Sequence, residues 1–382
     1  MKKVLIIIPH FFPGFKIGGP QRTIENVVDY YGEEASIYIY TKNHDMGEKK
    51  VYEGIETKIW LPYKNAKVMY MPDSEYYGPM FYKLYKEFNI IYSCSLFANN
   101  SILLLLLNKG RLFNRNNKQI FIAPMGVLEE GAFSSKSIKK KVFLYLFAVG
   151  GFFKNVIWSF SSENEKIGFT NKVGAKYLKN YIIAEDLPRK IDFKVQRKNI
   201  ARLYQKSNSI VFLSRICEHK NLLKCIEVLM LIDENVNFDI YGVVEDKDYW
   251  KLCEDKIAEL PNNIKVRYCG QPQPFEIIDI FSKYDIFMFP TKGENYGHVV
   301  FEALASGCIP VISNKTPWSD IEQYHCGKIV DLDDNEQFRK SIKYYMNMSD
   351  EQLLVTKKMA LDYAEKKMID AIACSGYENI FK

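Results

Sequence analysis

Short, wholly apolar runs recur along the chain, separated by segments whose apolar positions follow a helical period. The first run, Val4–Ile8, ends at Pro9 and has no polar member, as expected of a strand buried on both faces of a parallel sheet. A loop containing Gly14, Gly18 and Gly19 follows. Thr23–Tyr31 then predicts a helix, with Ile24, Val27 and Val28 as its apolar stripe. Further strands are predicted at Ala35–Tyr40, Ile90–Cys94, Gln119–Ala123, Asn155–Ser159 and Lys179–Ile183, with helices over about Asn100–Leu107 and Ser137–Phe147. From Pro188 to Asn208 the chain is polar and basic without a clear period, and predicts a linker between domains. The alternation restarts with strands at Ser209–Leu213, Asn237–Tyr241, Lys265–Cys269, Ile286–Phe289 and Ile309–Ile312. Helices are predicted over Leu222–Leu231 and Tyr249–Leu260. A last charged helix, about Ser349–Ile380, is expected to break near Lys366 and Lys367. Strands alternating with helices in both halves predict two doubly wound α/β domains, with ligands beyond the carboxyl ends of the strands.

A length of 382 residues supports two cores, and 47% apolar with 26% charged residues fits folded domains rather than disorder. The formal charge of +6 is too small and too dispersed for a nucleic-acid binder, but suits small anionic substrates. The apolar run Ile102–Leu107 is too short to span a bilayer. No secretory leader is evident in MKKVLIIIPHFF, and the eight cysteines contain no Cys-x-x-Cys pair. The chain therefore reads as cytoplasmic with reduced thiols.

The chemistry concentrates in FPTKGENYGHVVFEALASGCIPVI, Phe289–Ile312. A polar loop with Gly293 and Gly297 leads from a strand into a helix predicted over about Gly297–Ser306. The amides of Gly297, His298 and Val299 stand at the start of that helix, where phosphate or sugar oxygens bind well. Glu294 lies in the loop beside Asn295 and Tyr296, and Glu302 lies about a turn into the helix. A carboxylate can accept two hydrogen bonds from a vicinal diol such as a ribose. The second constellation is VFLSRICEHKNLLKCIEVL, Val211–Leu229. Arg215 follows a strand and Lys220 opens the next helix, so the two cations can neutralise a diphosphate. After the first strand, Gly18 and Gly19 either let a backbone approach phosphates or simply form a turn.

Two glutamates separated by seven residues, followed by Ala-Leu-Ala-x-Gly-x-x-Pro-Val, resemble the signature of the retaining GT-B glycosyltransferases of glycosyltransferase family 4. The resemblance covers nearly the whole chain and is strongest over 209–331. It implies two Rossmann-like domains facing a central cleft: an acceptor domain over 1–190, joined by a returning helix over about 365–382, and a donor domain over 195–364. It also implies transfer of a sugar from a UDP- or GDP-sugar to a hydroxyl, without a metal or other cofactor. Arg215 and Lys220 would stabilise the leaving diphosphate, Glu294 would contact the sugar and Glu302 the ribose. The donor site would comprise Gly18, Gly19, Arg215, Lys220, Glu294, Asn295, Tyr296, Gly297, His298, Val299 and Glu302. Ser214 and Asn221 stand where relatives often have glycine. The stretch APMGVLEEGAF resembles a branch active in bacterial surface-polysaccharide assembly, with Met125 replacing an arginine and Val127 a methionine. That branch implies a glycan or lipid-linked saccharide acceptor. Lys139–Lys141 beside Val142–Phe147 forms a basic, apolar helix that suits contact with an acidic membrane at its inner face, or equally a core helix with a solvated basic end. Ile90–Asn100 lacks the histidine that several relatives carry near the reaction centre. The residues leave room for a sugar-nucleotide epimerase, a glycan phosphorylase or a catalytically silent carbohydrate-binding protein.

Overall fold

A computed structural model describes residues 1–109, 118–128, 137–203 and 206–382 of the chain. It divides into two compact units, 1–190 with 371–382, and 191–370.

The first unit is built on β1 (Lys3–Ile7), β2 (Ser36–Lys42), β3 (Trp60–Tyr63), β4 (Ala66–Met71), β5 (Ile90–Cys94), β6 (Gln119–Ala123), β7 (Ile157–Phe160) and β8 (Asn180–Ile183). Around them stand α1 (Gly19–Tyr31), α2 (Pro79–Glu87), α3 (Asn99–Lys109), α4 (Ser137–Val149) and α5 (Glu163–Val173). The strand order is β3-β4-β2-β1-β5-β6-β7-β8, parallel except for the β3–β4 pair. Alternate residues of β1 serve opposite cores. Leu5 and Ile7 join one cluster, Val4 and Ile6 the other, so the run must be apolar throughout.

The second unit contains β9 (Ser209–Leu213), β10 (Val236–Tyr241), β11 (Ile264–Tyr268), β12 (Ile286–Phe289), β13 (Ile309–Ser313) and β14 (Lys328–Val330). Its helices are α6 (Phe193–Leu203), α7 (Leu222–Leu229), α8 (Lys247–Ile257), α9 (Ile277–Phe281), α10 (His298–Leu304), α11 (Asn335–Met346) and most of α12 (Asp350–Ala373). All neighbours are parallel in the order β11-β10-β9-β12-β13-β14. In each sheet the winding reverses beside its first strand, between β1 and β5 and between β9 and β12. Those reversals open the crevices where such sheets bind ligands.

Several sequence expectations are corrected. The proposed linker contains α6, because Phe193 and Ile200, seven residues apart, bury one face of an otherwise basic helix. Residues 204–205 lie outside the described residues, as do 129–133 of the loop APMGVLEEGAF. The final helix does not break at Lys366 and Lys367. Both lysines point outward, to the Tyr324 hydroxyl at 2.5 Å and to Asp320 at 2.9 Å, and α12 runs on to Ala373. The break comes at 374–377, before α13 (Glu378–Phe381), whose Ile380 and Phe381 enter the core of the first unit. Helix α1 begins at Gly19, so Gly19 is its first residue rather than part of the loop. The β3–β4 hairpin, with Pro62 on its edge strand, was not anticipated.

Lys357 on α12 is buried beside Asp285, with Nζ 3.5 Å from Oδ1, and donates to the carbonyls of Tyr284 at 2.6 Å and Gly307 at 3.2 Å. Removing one member of a buried pair strands the other. Lys357→Ala should therefore lower stability by about 3–5 kcal/mol in denaturant unfolding.

Candidate active site

In the second unit the loops after β9 and β12 are stitched together at the winding reversal. Asn221 adopts left-handed backbone geometry, φ 60°, as it caps α7, and its amide donates to the Pro290 carbonyl at 3.0 Å. The Lys292 amide donates to the His219 carbonyl at 2.9 Å, and His219 Nε2 lies 2.9 Å from the Gly293 carbonyl. Lys292 also pairs with Glu218 at 2.6 Å. Across this seam Lys220 and Glu294 form an ion pair, their side chains only 11% and 12% exposed. Thr291 Oγ1 donates to Glu294 Oε1 at 3.0 Å, and the Lys220 ammonium lies 5.7 Å from the centre of the Phe289 ring. Two segments 74 residues apart thus bring together one cation and one carboxylate singled out by the sequence.

Arg215 stands at the end of β9 and pairs with Glu245 at 2.5 Å, about one-third exposed. Its departure from the strand is fixed by Gly242 at the end of β10. A Cβ there would stand 1.7 Å from the Ser214 carbonyl oxygen, and φ is 145°. In the sequence Gly242 marks only a strand end; the structural reason for it lies in the neighbouring strand.

Helix α10 is shorter than expected, His298–Leu304, and Gly297 caps it in left-handed geometry at φ 76°. The preceding loop is braced by Trp318, which the sequence did not single out. Its indole donates to the Tyr296 carbonyl at 2.6 Å, and its ring lies 5.5 Å from that of Tyr296, which in turn lies 4.8 Å from His298. Asn295 sits between Glu294 and Tyr296 in this loop, and Val299 follows His298 in the first turn. Glu302 is buried on α10, 4% exposed. The Asp331 and Asp333 pair is engaged in a turn, with Asp331 accepting from the Asp333 amide at 3.0 Å and from Asn314 at 3.1 Å.

Gly18 and Gly19 belong to the first unit. Gly18 caps α1 at φ 70°, and a Cβ on Gly19 would meet nothing within 4 Å, so the fold itself does not require glycine there. After β5, where relatives carry histidine, a buried polar knot fixes the turn. Asn100 donates to Ser93 Oγ at 2.8 Å, and Ser101 Oγ donates to the Ser95 carbonyl at 2.6 Å. Near this end of the sheet stands Asp186, three residues beyond β8. It is partly exposed and accepts from Thr23 Oγ1 at 2.8 Å, and burial pushes its carboxyl up to about 6. Nearby Glu165 is also raised by burial, opposed by bonds from the amides of Gly126 at 2.6 Å and Ser161 at 2.9 Å. A carboxyl that titrates near neutrality can exchange protons at working pH. Asp186 carries no signal in the residue pattern, because its shift comes from packing.

Residues 193–365 match the family of glycosyl transferases group 1, a stretch that spans nearly all of the second unit. Among solved structures the chain is similar to Anabaena Alr3699/HepE in complex with UDP-glucose, with a TM-score of 0.69 and 16% identity over 100% of this chain and 98% of that one. It is also similar to WaaG, a glycosyltransferase involved in lipopolysaccharide biosynthesis, with a TM-score of 0.60 and 14% identity over 98% and 100% of the two chains. Sucrose-phosphate synthase of Thermosynechococcus elongatus gives a TM-score of 0.61 and 13% identity over 100% and 96%. No curated protein matches in sequence. The two Rossmann-like α/β domains are those of the GT-B glycosyltransferase structures. The match over 193–365 adds that the second unit resembles the glycosyl transferases group 1.

Two outcomes are expected. Glu294→Ala leaves the Lys220 ammonium buried without its carboxylate, and should cost about 3 kcal/mol in denaturant unfolding. Asp186 binds its proton more tightly in the folded chain, so its contribution to stability is present below about pH 4 and is lost as pH rises through about 6. Asp186→Asn should therefore raise the unfolding temperature above pH 6, by no more than about 3 kcal/mol equivalent, and change it little below pH 4.

Proposed function

We propose that the protein transfers a sugar from a nucleotide-diphosphate sugar, a UDP- or GDP-sugar, to a hydroxyl of a glycan or lipid-linked saccharide, retaining the anomeric configuration as family 4 enzymes do. The observation that carries this reading is the Lys220–Glu294 pair at the winding reversal of the second sheet, with Arg215 at the end of the same strand as Lys220's loop.

Breaking the bond between the anomeric carbon and the phosphate oxygen sends its electron pair to the nucleoside diphosphate. Arg215 and Lys220 oppose that growing charge, and fixed cations in a site of low water content do so without reorganising. Their charges and the first turn of α10 perform this task without a metal. Glu294 and the backbone near His298 orient the sugar, and Glu302 holds the ribose. A role in assembling surface polysaccharide is supported by the loop at 124–128 and by the likeness to WaaG, a lipopolysaccharide enzyme.

Thermal unfolding with a panel of UDP-, GDP- and ADP-sugars tests the donor site. A ligand at about one hundred times its dissociation constant adds roughly 2.7 kcal/mol of stability. One nucleotide class should raise the unfolding temperature. Arg215→Ala, at a surface position, should keep the ligand-free temperature and lose most of the rise. No rise with any donor would remove the proposed site.

A further inference from the structure

Arg215 is already occupied by a carboxylate, and the backbone holds that carboxylate in place. The loop after β10 is sewn to the loop after β9 through Ile216, which is fully buried. The Ile216 amide donates to the Val243 carbonyl at 2.8 Å, and the Ile216 carbonyl accepts from the amides of Glu245 and Asp246, each at 3.2 Å. Asp246 in turn caps α8 by accepting from the Tyr249 amide at 3.0 Å. The backbone on both sides of Glu245 is therefore fixed, and only its side chain is left to move. That side chain meets Arg215, with Oε2 2.5 Å from Nη1, and the two are 45% and 36% exposed.

A guanidinium offers the same fork of N–H donors to a carboxylate and to a phosphate. Glu245 thus presents to Arg215 the chemistry of a phosphate oxygen, and a phosphate that reaches Arg215 must take its place. The second ion pair of the site is harder to open. Lys220 and Glu294 are 11% and 12% exposed, and Thr291 also holds the Glu294 carboxylate. Releasing Glu245 into water costs little by comparison. Because the loop tethers it, the carboxylate stays beside Arg215 at a high effective concentration.

The need for such a competitor changes along the proposed reaction. Breaking the bond between the anomeric carbon and the phosphate oxygen leaves its electron pair on the diphosphate. The product then carries one more negative charge than the donor did, and fixed cations hold it harder. Turnover requires that it leave.

We infer that Glu245 is a release residue of the donor site: it yields Arg215 to the diphosphate when the donor binds, and reclaims it after transfer to expel the nucleoside diphosphate. The inference rests on the proposed reaction.

The test is binding and displacement of UDP and GDP on the full chain at low ionic strength, by calorimetric titration and stopped-flow chase. Glu245→Gln keeps the length of the side chain and removes its charge. Whichever diphosphate binds the unaltered chain should bind this variant about fivefold tighter, the most that an exposed pair of this kind supplies. The gain should lie in slower dissociation. In an Arg215→Ala chain, adding Glu245→Gln should change binding by less than about twofold, since the partner it competes for is gone. A residue that only shaped the loop would weaken binding when altered, or leave it unchanged. The ligand-free unfolding temperature of Glu245→Gln should stay the same, because the pair is exposed and the backbone bonds of the loop remain. Unchanged or weaker binding, a gain carried wholly by faster association, or equal tightening in the Arg215→Ala chain would overturn the inference and leave the donor site standing. If neither UDP nor GDP binds any of these chains, the donor site and the inference fall together.

Discussion

An ammonium group that is nearly shut off from water must have a counter-charge, and this requirement ties the second unit's site together. Lys220 lies under the seam between two loops, against the Phe289 ring, and Glu294 answers its charge. For the pair to form, the loop after β9 must meet the loop after β12. The Asn221 bond to Pro290 and the Lys292 bond to His219 enforce that meeting from either side. The left-handed turn at Asn221 then follows, because the chain must reverse at once into α7. A local electrostatic demand thus specifies loop conformation, and loop conformation specifies where α7 begins.

The same seam exists only because of sheet order. With β9 paired to β10 on one side and β12 on the other, the chain leaves β9 in one direction and returns to its far flank much later. Their carboxyl ends are adjacent while the helices that follow diverge, which leaves room between them. Gly242 sharpens this geometry by letting the end of β10 touch the Ser214 backbone. Arg215, held by Glu245, is therefore presented beside the seam by a backbone contact that no side chain could replace.

What the sequence disclosed and what it concealed divide along a physical line. Strands buried on both faces, such as β1 and β9, are legible because burial on two sides forbids polar residues. Arg215, Lys220 and Glu294 stand out because their charges lie in loops that follow strands, and Glu302 because it lies in a helix that a glycine opens. Helix α6 was hidden because two buried residues, Phe193 and Ile200, suffice to dock it and leave the rest basic. The continuation of α12 past Lys366 and Lys367 was hidden because two charges side by side look like a break when both are merely solvated. Trp318 and Asp186 could not be read in advance. Their roles come from the Tyr296 carbonyl and from burial beside Thr23, contacts between distant parts of the chain.

The two cations of the site are already matched by carboxylates, Arg215 by Glu245 and Lys220 by Glu294, so the four charges sum to zero before any ligand arrives. A diphosphate would add negative charge to a balanced set unless a carboxylate withdrew. Glu245 is nearly half exposed and can move into water at little cost. Glu294 is only 12% exposed, and Thr291 already holds one of its oxygens, so it withdraws less readily than Glu245. In the proposed reaction its compensation would come from the donor itself. Sugar hydroxyls would donate to Glu294 as the phosphate takes over Lys220, exchanging one ion pair for a charged hydrogen bond on each side. Phosphate alone would strand the glutamate and sugar alone would leave the lysine paired, so the arrangement favours a ligand that carries both groups at a fixed distance. That coupling gives a physical reason for an acid and a base to share one buried seam, where two separate surface charges would have bound either half indiscriminately.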